Sequence, residues 1–83
     1  MNVTIHCGGI ADKKELHIRI AEALDFPDWY GNNLDALMDC LTDLDETTVT
    51  LTGCDRVGFD ADGFWETFED AERENPRLTV VFE

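Results

Sequence analysis

The sequence predicts an α/β fold with three parallel strands and three main helices in the order β-α-α-β-α-β. Residues 2–7, 47–52 and 78–82 alternate apolar and polar side chains, as half-buried strands do. The segments between them carry apolar residues at helical spacing. Helical connections between parallel strands are nearly always right-handed. If the strands lie in the order 1-2-3, all helices fall on one face, and the result is a two-layer fold.

The alternation within the strands supports a sheet with one open face. Parallel strands that are covered on both faces usually read as continuous apolar runs, and these strands do not. Their inward positions are predicted to be Val3, Ile5 and Cys7, then Val49 and Leu51, then Leu78, Val80 and Phe82. The polar residues between them are expected to face solvent.

The length of the chain, 83 residues, predicts a single domain, 1–83, with a modest core. No stretch approaches the roughly 20 apolar residues of a membrane span. The first residues lack the basic start and apolar run of a signal peptide, so a cytoplasmic location is expected.

The net charge of −13 restricts the class of partner. Such a charge repels nucleic acid and anionic membranes, and it speeds encounter with a basic protein. Adaptation to high salt is an alternative explanation, because Asp outnumbers Glu and only Lys13 and Lys14 represent lysine. The two explanations are compatible.

The first and third helices have clear boundaries in the sequence. Asp12 is predicted to cap a helix over Lys13–Leu24, with Glu15 completing a capping box. Its inner stripe comprises Leu16, Ile20, Ala23 and Leu24, and Phe26-Pro27 ends it. Residues 53–60 are predicted to be a loop. The third helix is predicted from about Ala61 to Glu74, with Phe64, Trp65, Phe68 and Ala71 inward.

The second helix carries the most informative pattern. Asn32 or Asn33 is predicted to cap it, and it is expected to run to about Leu44. Its inner face comprises Leu34, Leu37, Cys40, Leu41 and Leu44. Asp35 and Asp39 fall on the opposite face, four residues apart, where like charges cost a helix a few tenths of a kcal/mol. The pair therefore indicates binding, although Asp35 could instead close a capping box on Asn32.

An aromatic doublet precedes that helix. Trp29 is predicted to be the more exposed residue of the two and Tyr30 the more buried. Three cysteines lack metal-site spacing, so reduced thiols and no metal or cofactor are expected. Cys7 and Cys40 are predicted to be buried small hydrophobes, and the two histidines to be structural.

The second-helix segment closely resembles the central motif of the barstar family, the intracellular inhibitors of secreted bacterial ribonucleases. The resemblance rests on Tyr30-Gly31-Asn32-Asn33-Leu34-Asp35-Ala36-Leu37, continued by Asp39-Cys40-Leu41-Thr42. Leu16-His17, Phe26-Pro27 and the final strand also fall where the family has equivalents. The resemblance implies a barstar-like fold and a 1:1 complex with a basic, barnase-type ribonuclease, in which the chain acts as an immunity protein or antitoxin.

The resemblance also implies roles for individual residues. Asp39 matches an acid that enters the pocket for the scissile phosphate, and Asp35 matches one that pairs with a rim arginine. Trp29 matches an aromatic that packs on the enzyme's histidine, and Asn33 matches a polar contact. Asp70, the best match for an acid on the last helix, could equally belong to a solvated acidic face. The full predicted binding surface comprises Trp29, Gly31, Asn33, Asp35, Met38, Asp39, Thr42 and Asp70.

Two other functions compete with inhibition. Paired carboxylates can serve a glycosidase or hold a metal, but a convex helix surface leaves little room for a cleft. An acidic binding module, or an antitoxin for a different cationic toxin or nucleic-acid-binding protein, agrees with the charge. No catalytic residue is predicted.

Overall fold

Three parallel strands form one sheet in the order β1-β2-β3, and three helices connect them. The computed structural model describes residues 1–83. The elements are β1 (Asn2–His6), α1 (Lys13–Leu24), α2 (Leu34–Thr42), β2 (Thr47–Thr52), a 3-10 helix (Cys54–Arg56), α3 (Asp62–Glu74) and β3 (Leu78–Phe82). The predicted fold class, element order and strand order are confirmed. None of the helices is long and apolar enough to cross a membrane.

The strand register separates a covered face of the sheet from an open face. Val49 of the central strand pairs with Val3 on one side and with Val80 on the other. Thr50, the next residue, pairs with Thr4 and Val81 in the same way. Val49 is fully buried, whereas Thr4 and Val81 are exposed. The helices therefore cover one face only, as the alternating pattern predicts.

The core lies between the covered face and the helices. Cys7 and Cys40 are buried in it, as predicted. Its fully buried side chains come from all three helices and from the first two strands and the segment after β1: Phe68, Ile5, Ile10, Leu16, Ile20, Leu37, Leu41, Leu51, Val49 and Cys7.

Two residues predicted to face the core, Leu34 and Phe82, are exposed, and Leu44 lies outside its predicted helix. Leu34 is 37% exposed because it begins α2 at the rim of the helical layer, and Phe82 is 42% exposed because β3 extends beyond that layer. Phe82 packs only edge-on against the half-buried Trp65, with ring centroids 6.2 Å apart. Leu44 is half-buried and lies outside α2.

The carboxyl end of α2 lies two residues earlier than predicted. The helix ends at Thr42, and the amide of Leu44 bonds to the carbonyl of Leu41 in a tighter turn. The side-chain amide of Asn75 donates hydrogen bonds to the carbonyls of Leu41 (3.1 Å) and Leu44 (2.9 Å). The bond to Leu44 satisfies a carbonyl that the end of the helix leaves without a partner, and the bond to Leu41 adds to the one from the amide of Leu44. The predicted loop after β2 also contains one turn of 3-10 helix.

Asn75 joins α2 to the end of α3. It is 3% exposed, and its side-chain oxygen accepts a hydrogen bond from the amide of Arg77 at 3.0 Å. Its own amide bonds to the carbonyl of Ala71. One buried side chain thus fixes the end of α2 and the turn into β3.

A buried pair, His17 and Tyr30, fixes the loop between α1 and α2. The Nδ1 atom of His17 lies 2.6 Å from the hydroxyl of Tyr30, and the His17 ring packs 4.5 Å from the ring of Phe64. Tyr30 also packs against Phe26 at 5.1 Å. Burial lowers the pKa of His17, and burial raises the pKa of Tyr30. Both groups are therefore neutral at pH 7, as a buried hydrogen-bonded pair requires.

The fold predicts a large cost for replacing Asn75. Asn75→Ala leaves the carbonyl of Leu44 without a partner, removes one bond to the carbonyl of Leu41 and removes the acceptor for the amide of Arg77. We expect a loss of about 3 kcal/mol in the free energy of unfolding. Urea denaturation followed by circular dichroism measures it. Asn2→Ala, which alters an exposed asparagine, is the control. Equal losses in the two variants would contradict the role given to Asn75.

Burial of His17 predicts loss of stability in mild acid. Its folded-state pKa lies below the ordinary value of 6.5, so the unfolded chain binds the proton more readily. The contribution of neutral His17 to the free energy of unfolding is complete above pH 6.5 and is lost as the pH falls below that value. We expect His17→Gln to flatten the decrease in unfolding free energy between about pH 7 and pH 5, and the exposed His6→Gln to leave it in place. Identical pH profiles for the two variants would contradict this assignment.

Candidate functional site

The exposed face of α2 presents two carboxylates with no partner in the chain. Asp35 and Asp39 are both exposed and lie one helical turn apart. Neither side chain accepts a hydrogen bond or forms an ion pair, and the three ion pairs of the protein all lie elsewhere. Their full hydrogen-bonding capacity is therefore available to a partner.

The alternative structural role of Asp35 is excluded by the cap geometry. The side chain of Asn33 caps α2 and accepts a 2.8 Å hydrogen bond from the amide of Ala36. A capping box would need the acid at the position of Ala36, and Asp35 lies one residue before it. Asp35 retains a favourable position near the positive end of the helix dipole. Its side chain makes no bond that the fold requires.

The two residues of the aromatic doublet differ in exposure as predicted. Tyr30 is 9% exposed, whereas Trp29 is 64% exposed. Trp29 borders a shallow hollow of about 160 Å³, whose other wall is formed by Cys40 and Asp43 of the α2 end. The indole therefore lies beside the carboxyl end of α2, next to Asp43.

Gly31 and Asn33 lie at the beginning of α2 and are both exposed. The side-chain nitrogen of Asn33 donates a 3.4 Å hydrogen bond to the carbonyl of Gly31. Asn33 thus has a folding role as the helix cap, in addition to the polar contact that the resemblance implies. The preceding residue, Asn32, has a left-handed backbone (φ 53°), which turns the chain into the helix.

Met38 and Thr42 form the flank of α2 beside Asp39, and both are half-buried. The hydroxyl of Thr42 donates hydrogen bonds to the carbonyls of Met38 (3.0 Å) and Asp39 (3.1 Å). Met38 packs against the core. These two residues border the acidic face without extending it.

Asp70 lies on the flank of α3 that faces α2. A Cβ atom on Gly63 would approach a methyl group of Leu34 to 3.0 Å, so the amino ends of the two helices are in contact there. Asp70 follows Gly63 by seven residues, which places it about 20° away around the helix. It is half-buried and forms an ion pair with Arg73. Unlike Asp35 and Asp39, it has a partner within the chain.

Asp43 is a further exposed acid beside Asp39 that the sequence analysis does not include. It is exposed, caps the end of α2 and follows Asp39 by four residues. The same four-residue spacing that identified Asp35 and Asp39 could have found it.

The exposed face of α2 offers hydrogen-bond acceptors and no metal site. No cluster of three or more His, Cys, Asp or Glu is placed to hold a metal. The largest groove, about 650 Å³, lies at the amino ends of α1 and α2 and is lined by Lys13, Lys14 and His17 among others. Neither Asp35 nor Asp39 lines it. The carboxylates instead project from a convex helix, where they can accept hydrogen bonds from a cationic partner.

Comparison with known proteins identifies the family. The family model described as Barstar (barnase inhibitor) matches residues 1–74. A protein of Bacillus subtilis (strain 168), whose name is "Putative ribonuclease inhibitor YrdF", is 56% identical over 36 residues. That match covers 43% of this chain and spans 40% of the length of the relative. Because the family model covers nearly the whole chain, this protein belongs to the barstar family.

Proposed function

We propose that this protein inhibits a ribonuclease by placing α2 and the loop before it in the enzyme's active site. The observation that carries the proposal is the pair Asp35 and Asp39, exposed one turn apart and without partners in the chain. Membership of a family described as barnase inhibitors supports it. So does the name of the Bacillus subtilis relative.

The physical basis is substrate mimicry. A ribonuclease arranges cationic groups around the phosphate that it cleaves, and a carboxylate can accept charge-assisted hydrogen bonds from the same groups. Asp39 is assigned to that pocket and Asp35 to an arginine at its rim. The carboxylates offer no bond to cleave. Because a helix already fixes their spacing, little conformational entropy is lost on binding.

The neighbouring residues complete the surface. Trp29 offers a rigid aromatic face beside the carboxylates, and such a side chain is a common anchor in interfaces. Asp43 extends the acidic face toward the end of α2. Asp70 is paired with Arg73 in the free protein. It can contribute to binding only if a basic group of the enzyme replaces Arg73 as its partner.

The partner proposed is one molecule of a basic, barnase-type ribonuclease. The net charge of −13 attracts such an enzyme over a distance and speeds the encounter. An inhibitor of this kind protects the cell that makes the enzyme, so the protein is assigned a cytoplasmic role as an immunity protein or antitoxin.

The inhibition itself predicts a stoichiometric assay result. We expect ribonuclease activity to fall linearly with added protein and to vanish near one equivalent, when a barnase-type ribonuclease of the same organism is used. Cleavage of a fluorogenic RNA substrate measures the activity. Full activity at a large molar excess, against every ribonuclease of that organism, would refute the proposal.

Asp39 is expected to dominate the binding energy. Asp39→Asn keeps the shape of the side chain and removes its charge, which leaves the enzyme's cations buried without a counter-ion. We expect a loss of about 3–5 kcal/mol in binding free energy, as when one partner of a buried ion pair is removed. Calorimetric titration or competition measures it. Stability should stay equal or rise by a few tenths of a kcal/mol, because Asp35 loses a like-charged neighbour.

The matched control is Glu69→Gln. Glu69 is exposed, lies on α3 and is turned about 120° away from the flank that faces α2. The Glu69→Gln variant removes one negative charge, as Asp39→Asn does. It therefore measures the effect of lost long-range attraction alone. If the two variants weaken binding equally, net charge and not a specific contact of Asp39 accounts for the affinity.

A further inference from the structure

Cys7 and Cys54 lie side by side at the carboxyl edge of the sheet, although they are 47 residues apart in the sequence. The amide of Cys7 donates a 2.8 Å hydrogen bond to the carbonyl of Thr52, and the amide of Gly9 donates one of 2.9 Å to that of Arg56. The two segments therefore run together on both sides of the cysteine pair. The pairing of His6 with Thr52 places Cys7 opposite Gly53 and diagonal to Cys54. With strands about 4.8 Å apart, a diagonal neighbour falls within the roughly 4.4–6.8 Å of Cα separation that a disulfide spans.

Two glycines permit the close approach of these segments. Gly53 has a left-handed backbone (φ 70°), and a Cβ atom there would lie 2.7 Å from the backbone nitrogen of Gly8. A side chain at this position would push the segments apart. The backbone segments that carry the two cysteines therefore lie closer together than any side chain at position 53 would allow.

Both side chains pack into the core on the covered face of the sheet. Cys7 is fully buried, and Cys54 is half-buried and packs against the core. The Cys7 thiol donates a hydrogen bond to the carbonyl of Ile5 and the Cys54 thiol donates one to that of Leu51, both at 3.7 Å. Burial, together with the neighbouring Cys54 thiol, raises the pKa of Cys7 to about 12. Cys40 has no thiol beside it, since its charged neighbours are Asp39 and Asp43.

We propose that Cys7 and Cys54 form a dithiol site that small-molecule disulfides oxidise to an intramolecular disulfide. The site is separate from the acidic face of α2 and does not depend on the inhibitory function. The half-buried Cys54 is the sulfur that solvent-borne reagents reach, and the buried Cys7 is the resolving thiol.

The reaction balances with oxidised glutathione as the oxidant. The Cys54 thiolate attacks one sulfur of oxidised glutathione, forms a mixed disulfide and releases one glutathione thiolate. The Cys7 thiolate then attacks the sulfur of Cys54, which forms the protein disulfide and releases the second glutathione. The protons lost by the two cysteines are taken up by the two glutathione thiolates. Two protein thiols are oxidised, and one glutathione disulfide is reduced to two thiols.

The cross-link should stabilise the domain. It would close a loop that contains α1, α2 and β2 and would restrict the unfolded chain, since loops of this length lose much entropy on closure. We expect the melting temperature to rise by about 10 °C. A lower melting temperature for the oxidised protein would refute the claim that the native geometry already accommodates the bond.

Incubation of the folded, reduced protein with oxidised glutathione tests the proposal. We expect the intact mass to fall by two hydrogens, and peptide mapping without reductant to find Cys7 joined to Cys54. Cys40→Ala should behave like the parent protein. Cys54→Ser, with its fold verified by circular dichroism, should lose the reaction. A stable glutathione adduct on Cys54, a bond that involves Cys40, or no reaction in the parent protein would overturn the proposal.

Discussion

The buried amide of Asn75 is the contact on which the geometry of the acidic face depends. Its two hydrogen bonds end α2 and hold that end against α3. At the other end of the helix, Asn33 supplies the cap. A helix of nine residues is marginal in isolation, so its rigidity comes from these two fixed ends and from the packed inner face. The spacing of Asp35 and Asp39 is rigid because the scaffold is rigid.

Much of this arrangement could be predicted from the sequence, because periodicity reports which side of an element is apolar. It identified the three strands and the one-sided sheet. It also placed Asp35 and Asp39 together on the face of α2 opposite its apolar side. It placed Leu34 and Phe82 on the inner side as well, yet both are substantially exposed. Periodicity gives the direction of a side chain but not the extent of the layer that covers it. That extent depends on how three helices of unequal length pack on the sheet.

The structural contribution of polar residues was harder to predict. Asn75 stood in the sequence only as a residue before a proline that ends a helix. Its long-range bonds to α2 join residues more than thirty positions apart, and no local pattern reports them. The position of Asp70 relative to α2 is likewise a property of helix packing. The roles proposed for the site residues rest on the family motif, and the structure shows that Asp35 and Asp39 are exposed and have no partner in the chain.

The open face of the sheet has a practical consequence for experiments with this protein. Thr4, Thr79 and Val81 are exposed on the side of the sheet opposite the helical layer. A fluorophore or a surface tether attached there would stand a full protein layer away from α2. The molecule could therefore be immobilised or labelled through its sheet while the whole helical side stays accessible to a macromolecule in solution.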